Sequence, residues 1–343
     1  MKPLATLTRL LARSQPQVGC TPAEVIHREN KWQLLRYLPA PGGPKYRTPV
    51  LLVPSLINRH YVLDLMPGKS FAEHMVARGH DVYVIDWGTP GPEDRFLSFD
   101  DICDGYLGRA IRKVARRGAD RRVHVLGYCL GGTLAAIHTA VRPQHVASLV
   151  ALAAPIDFHD DGLLSVWTRV STFDPAVLAQ ALGNIPWQLL QATFHLLRPT
   201  TSLRKAVNLI ERAWDDEFLD GFFATERWGG DNVAFPGECF RRYIDELYRK
   251  NALVHDRFTL SGTPVRLGEI RCPTLAVTFG DDHIVPWQSA KVLLDRISSP
   301  VRRHIHLPGG HVGAVVSRKA AAQLWPELSA FWTDHDRARI SAA

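Results

Sequence analysis

Short apolar runs alternate with amphipathic stretches along the first half of the chain. Residues 48–55 and 81–87 are largely apolar runs of strand length, and a stretch with helical periodicity lies between them. Such runs are typical of strands whose two faces are both covered, as in a parallel sheet. Similar runs recur at 122–128 and 146–157. This alternation predicts βαβ units and a doubly wound, mostly parallel sheet.

The pattern changes after Asp157. The following hundred or so residues consist of helical stretches rich in apolar and aromatic side chains, without the pattern of a buried strand. Strand-like runs return at 273–280 and 302–309, and a final helical stretch covers 319–333. The predicted division is an N-terminal segment (1–21), an α/β core (22–157 and 263–335) and an inserted helical cap (158–262).

Charge and composition narrow the function classes. The 343 residues are 46% hydrophobic, which is enough for a large core, and the net charge is +7. Seven basic residues and one Asp lie between Arg109 and Arg122, which favours the solvated face of a helix over a polyanion site. No zinc-finger, helix-turn-helix or aromatic-basic pattern accompanies them, so we expect no nucleic-acid partner.

Nothing in the pattern predicts secretion or membrane insertion. The N-terminus lacks the apolar core of a signal peptide, and no window approaches a transmembrane span. Leu4, Leu7, Leu10 and Leu11 share one helical face, which favours a packed terminal helix over a docking helix. The five cysteines are scattered without a C-x-x-C pair, so we expect no metal site. A soluble protein of the reducing cytoplasm is predicted.

The stretch "HVLGYCLGGTLAA" (124–136) joins a predicted strand to a predicted helix through a glycine-rich turn. In the Gly-x-Ser-x-Gly nucleophile elbow, two glycines permit a tight turn that exposes the central side chain above the sheet. Here Gly127 and Gly131 flank Cys129, so a thiol occupies that position. The dipole of the following helix favours a thiolate. A cysteine in a tight turn is usually structural, so the motif needs support from elsewhere.

Two later segments supply that support. "FGDDHIVPW" places Asp281 and Asp282 directly after a predicted strand, and "LPGGHVGAVVS" places His311 in a glycine-rich loop after the last strand. The order nucleophile, acid, histidine is that of the α/β-hydrolases. We expect one carboxylate to orient His311 and the other to cap the turn, and the residues alone leave the choice open. The predicted fold is therefore an α/β-hydrolase with an inserted helical cap.

An oxyanion hole in this fold needs two backbone N–H groups. One comes from the residue after the nucleophile, which is Leu130. The other comes from the loop after the strand that ends at Pro54, where Ile57 is the preferred donor and Leu56 the alternative.

A thiol nucleophile suits thioester substrates. Exchange of one thiol for another is nearly balanced in energy, and the acyl-cysteine that results is still activated toward attack by an alcohol. Cys129, deprotonated by His311, therefore favours acyl transfer from a coenzyme A thioester over simple ester hydrolysis. Coenzyme A enters as part of the substrate, and no separate cofactor or metal is expected.

These motifs resemble those of the polyhydroxyalkanoate (PHA) synthases. "GYCLGG" is similar to their G-x-C-x-G-G box, and the likeness extends through "PSLINRHYVLDLMPGKSFAEHMVARGHDVYVIDWGTP", "DDHIVPW" and "PGGHVGAVVS". It covers most of residues 22–333. The short chain and the stretch "FRRYIDELYRKNALVHDRFTLSGTPVRLGEI" resemble the class III catalytic subunit.

The resemblance implies an acyltransferase that polymerises (R)-3-hydroxyacyl-CoA into PHA and releases coenzyme A. It makes Cys129 the acylated nucleophile and His311 the base. It makes Asp282, rather than Asp281, the acid that assists attack by the 3-hydroxyl of the next unit. It also implies a second synthase subunit, a homodimer, and a cytoplasmic location on the surface of PHA granules.

Two other classes remain open at this stage. A thioesterase or an intracellular PHA depolymerase of the same fold would let water reach the acyl-cysteine, and its product would be free acid instead of polymer. A non-catalytic granule protein with a relic site would carry an unreactive Cys129. The intact nucleophile, acid and base argue against the relic.

Overall fold

An eight-stranded sheet forms the centre of the structure, a computed structural model that describes residues 9–10, 13–197 and 200–336. The strands are β1 (Ala23–Glu29), β2 (Trp32–Tyr37), β3 (Val50–Val53), β4 (Val82–Asp86), β5 (Val123–Tyr128), β6 (Val146–Leu152), β7 (Thr259–Leu260), β8 (Thr263–Pro264), β9 (Thr274–Phe279) and β10 (Arg302–Leu307). All but β7 and β8, which pair with each other, belong to the main sheet.

The main sheet is mostly parallel, as the apolar runs predict. Its order is β1-β2-β4-β3-β5-β6-β9-β10, and the strands from β4 to β10 along this order are parallel. Every residue of β3, β5 and β9 is buried, because helices cover both faces of the sheet. The predicted α/β-hydrolase architecture is confirmed. The antiparallel edge strand β1 was not predicted, because its residues are largely exposed and form no apolar run.

Helices pack on both faces of the sheet and fill the region between β6 and β9. The α-helices are α1 (Phe71–Ala77), α2 (Gly108–Ala115), α3 (Leu130–Val141), α4 (Leu163–Thr168), α5 (Pro175–Leu182), α6 (Trp187–Leu196), α7 (Thr200–Glu211), α8 (Asp216–Gly230), α9 (Gly237–Arg242), α10 (Trp287–Arg296), α11 (Gly313–Val316) and α12 (Arg318–Asp334). Two π-helical segments, Asp101–Leu107 and Tyr243–Arg249, precede α2 and follow α9. Across the part of the chain just described, no helix is long and apolar enough to cross a membrane.

The core divides into two clusters, one on each face of the sheet. Within β3, Leu51 and Val53 join one cluster, and Val50 and Leu52 join the other, as the alternation of strand side chains requires. Helices α2, α3 and α10 contribute to the first cluster, and α1 and α12 to the second. The sheet is thereby held rigidly between two helical layers.

The N-terminal segment contacts the helices that follow β6. Arg13 lies 2.5 Å from Asp216 and 2.6 Å from Asp220, both on α8. The Nε of Arg9 donates a hydrogen bond of 3.1 Å to the carbonyl of Ala213. The leucine stripe considered above lies largely outside the described residues. These contacts connect the beginning of the chain to the inserted helices.

Two buried histidines lie near Trp332 of the second cluster, with ring centroids 5.5 Å (His80) and 6.4 Å (His124) from its indole. His80 Nε2 is 2.9 Å from the Ser329 hydroxyl, and His124 Nδ1 is 2.8 Å from the Ser148 hydroxyl. Burial lowers the pKa of His80 to about 4 and that of His124 to about 3. Both rings are therefore neutral in the folded protein at neutral pH.

We expect these histidines to destabilise the fold in mild acid. The unfolded chain takes up their protons below pH ~6.5, whereas the folded chain resists until far lower pH, so the free energy of unfolding falls by ~1.4 kcal/mol per pH unit for each histidine. His124→Gln should reduce the loss of stability between about pH 7.5 and about pH 5.5 in urea titrations. The exposed His255→Gln should keep the full loss. An unchanged pH dependence in His124→Gln would contradict this account.

Candidate active site

The turn between β5 and α3 holds Cys129 in a strained conformation. Its φ of 54° and ψ of −129° lie outside the regions that non-glycine residues normally adopt. A Cβ on Gly131 would lie 2.1 Å from the Val53 carbonyl oxygen, and one on Gly127 would lie 2.3 Å from the Cα of Gly132. The glycines thus let α3 approach the sheet closely enough to form a nucleophile elbow.

His311 and Asp282 are brought together by the loops that follow β10 and β9. The Nδ1 of His311 lies 2.7 Å from Oδ2 of Asp282. The other oxygen, Oδ1, accepts hydrogen bonds of 2.9 Å from the N–H groups of Ile284 and Val285. Asp282 therefore orients the histidine and also caps its own turn. The sequence had predicted that Asp281 and Asp282 would each perform one of these two roles. Asp281 is exposed.

The surroundings of His311 favour its protonated form. The ring is buried and lies 5.2 Å from the ring of Tyr128, whose hydroxyl donates to the His311 carbonyl at 3.3 Å. Burial alone would lower the pKa of His311, but the negative charge of Asp282 and interaction with Cys129 raise it well above its usual value. A proton given up by the Cys129 thiol thus has a stabilised acceptor.

A partly open cavity of about 80 Å³ lies against Cys129. Its walls come from both the core and the inserted helices. They are formed by Ser55, Ile57, Cys129, Leu130, Pro155, Leu164, Leu190, Thr193, Phe194, Phe235, Phe240, Tyr243, Ile244, Tyr248, Ile284 and Val285. Most of these side chains are apolar, so the acyl end of a substrate would leave water on binding.

The two predicted oxyanion donors, Leu130 and Ile57, line this same cavity. Leu130 is the first residue of α3, where a backbone N–H has no partner within the helix. The carbonyl of Ile57 accepts a hydrogen bond of 3.1 Å from the N–H of Val233, which fixes the loop after β3. Leu56, the alternative donor, lies in the hydrophobic core.

Two tyrosines of the cavity wall were not found from the sequence. Tyr243 and Tyr248 stand five residues apart in a π-helical segment, and their ring centroids are 5.4 Å apart. A spacing of five does not place side chains on one face of an α-helix, so the periodicity gave no signal. Over the same described residues, no cluster of side chains suited to hold a metal ion occurs.

We expect Gly131→Ala to disrupt the elbow. The added methyl would overlap the Val53 carbonyl, and backbone on both sides prevents relief. The variant should lose ~2 kcal/mol or more of unfolding free energy, measured in urea, and its Cys129 should react more slowly with iodoacetamide. Gly229→Ala is the matched control, because nothing lies within 4 Å of its added Cβ. Wild-type stability in Gly131→Ala would contradict this view of the turn.

We expect Asp282→Asn to lower the pKa of His311, because the amide keeps the shape of the carboxylate without its charge. The imidazolium that stabilises a Cys129 thiolate should then be lost at lower pH. Alkylation of Cys129 at neutral pH should slow by about tenfold, and an NMR titration should give the histidine pKa directly. Asp281→Asn should behave as the wild type, and an equal effect there would contradict the role of Asp282.

Comparison with known families and structures agrees with this fold. Residues 48–316 match the family described as alpha/beta hydrolase fold, and residues 15–75 match the Poly-beta-hydroxybutyrate polymerase (PhaC) N-terminus. A monoglyceride lipase from Saccharomyces cerevisiae aligns with a TM-score of 0.62 at 12% identity, covering 95% of this chain and 100% of the lipase. An esterase from Thermogutta terrifontis gives 0.55 at 14%, covering 92% and 98%. These two structures support the fold alone.

Sequence relatives are more specific. The poly(3-hydroxyalkanoate) polymerase subunit PhaC of Allochromatium vinosum is 34% identical, over 94% of this chain and 91% of the relative. That of Synechocystis is 31% identical, over 91% and 84%. That of Haloferax mediterranei is 33% identical over 94% of this chain, which spans only 65% of that relative's length. By this similarity along most of its length, the chain belongs to the poly(3-hydroxyalkanoate) polymerase family.

Proposed function

We propose that the protein polymerises (R)-3-hydroxyacyl groups from their coenzyme A thioesters into polyhydroxyalkanoate, through an acyl-cysteine intermediate. The observation that carries the proposal is the Cys129 elbow beside a histidine held at 2.7 Å by Asp282, in a chain of this family. Cys129, His311 and Asp282 form the catalytic triad of this proposal. A thiol in place of serine supports thioester chemistry over ester hydrolysis.

Acylation requires a thiolate at Cys129 and a donor for the developing oxyanion. His311 accepts the thiol proton, and the thiolate attacks the carbonyl carbon of the thioester. The backbone N–H groups of Leu130 and Ile57 donate to the carbonyl oxygen as it becomes negative. The intermediate then collapses, the bond from carbon to the coenzyme A sulfur breaks, and the coenzyme A thiolate leaves with the proton from His311.

Chain growth transfers the acyl group from sulfur to oxygen. The 3-hydroxyl of the next unit attacks the acyl-cysteine and gives its proton to His311, and the Cys129 thiolate leaves. Both oxygens of Asp282 are already engaged, one with His311 and one with backbone N–H groups. We therefore assign Asp282 the task of stabilising the imidazolium in this step, instead of contacting the hydroxyl itself.

The apolar wall of the cavity supports polymerisation over hydrolysis. The helices that carry Leu164, Leu190 and Phe194 lie against the cavity beside Cys129. With a substrate bound there, apolar side chains would surround the acyl-cysteine and limit its contact with water. An alcohol delivered as part of the substrate then has the advantage over water as the acceptor.

We further propose a cytoplasmic protein that acts with a second synthase subunit, forms a homodimer and works at the PHA granule surface. Support comes from the cap, where Val177, Leu196 and Ile210 are each more than 60% exposed. Apolar side chains that protrude in this way suit contact with another protein or with polyester.

The central test is Cys129→Ala, supplied with (R)-3-hydroxybutyryl-CoA in the presence and absence of a candidate second subunit. Release of coenzyme A should fall to background, because the variant lacks the proposed nucleophile. Cys129→Ser should lose most activity, since an alkoxide is far harder to generate than a thiolate. Cys20→Ala removes an exposed thiol and should be fully active.

The products distinguish the candidate activities. Wild-type protein should yield insoluble polyester with little free hydroxy acid, and dependence on the second subunit would support the two-component proposal. Stoichiometric free acid would instead indicate a thioesterase or a depolymerase. Retention of activity by Cys129→Ala would contradict the acyl-cysteine.

A further inference from the structure

The wall of the catalytic cavity contains a hydroxyl that none of these steps uses. Ser55 stands two residues after the end of β3, is 1% exposed, and lines the same cavity as Cys129. Within the described part of the chain, its Oγ has no hydrogen-bond partner. Buried serine hydroxyls normally have a hydrogen-bond partner, so the unpaired hydroxyl of Ser55 needs an explanation.

A structural role does not account for the hydroxyl. The carbonyl of Pro54, the preceding residue, accepts a hydrogen bond of 3.0 Å from the indole of Trp87 and not from the Ser55 hydroxyl. Ser299 shows the contrast, because it is also buried but its hydroxyl donates to the Val301 carbonyl at 2.9 Å. An alanine at position 55 would remove an unpaired polar atom with little change in shape, and would cost no stability.

The position of Ser55 points to the reacting carbonyl. Ser55 belongs to the loop that also carries Ile57, and both residues line the cavity together with Leu130 and Cys129. The loop thus brings a side-chain O–H to the side of the cavity that holds a predicted backbone donor. Charge that develops on an oxygen between these groups would be stabilised by each donor that reaches it.

We propose that Ser55 is a further catalytic residue, whose hydroxyl donates a hydrogen bond to the thioester carbonyl oxygen while Cys129 is acylated. No bond to Ser55 forms or breaks, and its proton stays on Oγ. The hydroxyl adds a third donor to the N–H groups of Leu130 and Ile57. The inference rests on the proposed acyl-cysteine function, since it assigns a donor to that reaction.

The interaction should be stronger in the transition state than with bound substrate, because negative charge appears on the oxygen only as the thiolate attacks. Loss of the hydroxyl should therefore lower kcat and leave KM nearly unchanged. The mostly apolar walls lower the local dielectric, which increases the effect of a single donor.

The test compares Ser55→Ala, Ser55→Thr and Ser299→Ala with the wild type. Single-turnover release of coenzyme A from (R)-3-hydroxybutyryl-CoA should be slower by about tenfold to a hundredfold in Ser55→Ala, with a melting temperature no lower than that of the wild type. Ser55→Thr keeps a hydroxyl and should recover much of the rate. Ser299→Ala should melt at a lower temperature and acylate at the normal rate.

An unchanged acylation rate in Ser55→Ala would overturn the proposal. So would a fall in its melting temperature as large as that of Ser299→Ala, because the hydroxyl would then be structural. Failure of the proposed function gives a different result: wild-type protein and Cys129→Ala would release coenzyme A equally or not at all, and the role of Ser55 would fall with it.

Discussion

The close contact between helix α3 and the ends of the central strands is the constraint on which the site depends. Gly131 lies so near the Val53 carbonyl that no side chain fits between them. This contact bends the chain sharply at Cys129, and Leu130, the first residue of the helix, lines the cavity beside it. Because β5 lies between β3 and β6, the same turn places the thiol beside the loops of both neighbouring strands. The strained backbone of Cys129 persists because the packed core around the turn holds it in place.

The pair formed by His311 and Asp282 depends on an electrostatic interaction between two buried side chains. The carboxylate of Asp282 has three hydrogen-bond partners, the N–H groups of Ile284 and Val285 and the ring of His311. Its charge outweighs the effect of burial on the histidine and raises the histidine pKa. In the proposed mechanism, the thiol, the imidazole and the carboxylate would act as one unit. Replacing Asp282 by Asn would keep the shape of the side chain but remove the charge that raises the pKa of His311.

Sequence reasoning went furthest where one local rule dominates. Apolar runs predicted the buried strands, and the glycine spacing placed Cys129 on the elbow, because burial and steric contact act residue by residue. Edge strand β1 gave no such signal, since its side chains are largely exposed. The residues alone also left Asp281 and Asp282 undecided, because the choice depends on which carboxylate faces a loop 29 residues away. The contact between Tyr243 and Tyr248 could not be predicted, because it depends on a π-helical turn that leaves no periodic pattern in the sequence.

The helices between β6 and β9 line the cavity beside Cys129 and bear on which molecules can reach the thiol. A thioester on Cys129 would be lost to water in an open site, because the acyl-cysteine stays reactive until an acceptor arrives. Side chains from the helices between β6 and β9, among them Leu190 and Phe194, line the cavity beside the sulfur. Under the proposed function, these apolar walls would limit the access of water to the intermediate. A hydroxyl that belongs to the bound acyl unit would be held close to the acyl-cysteine, and this proximity would favour it over water. Polymer formation on this fold would then depend on excluding water and positioning an alcohol, without a new catalytic group.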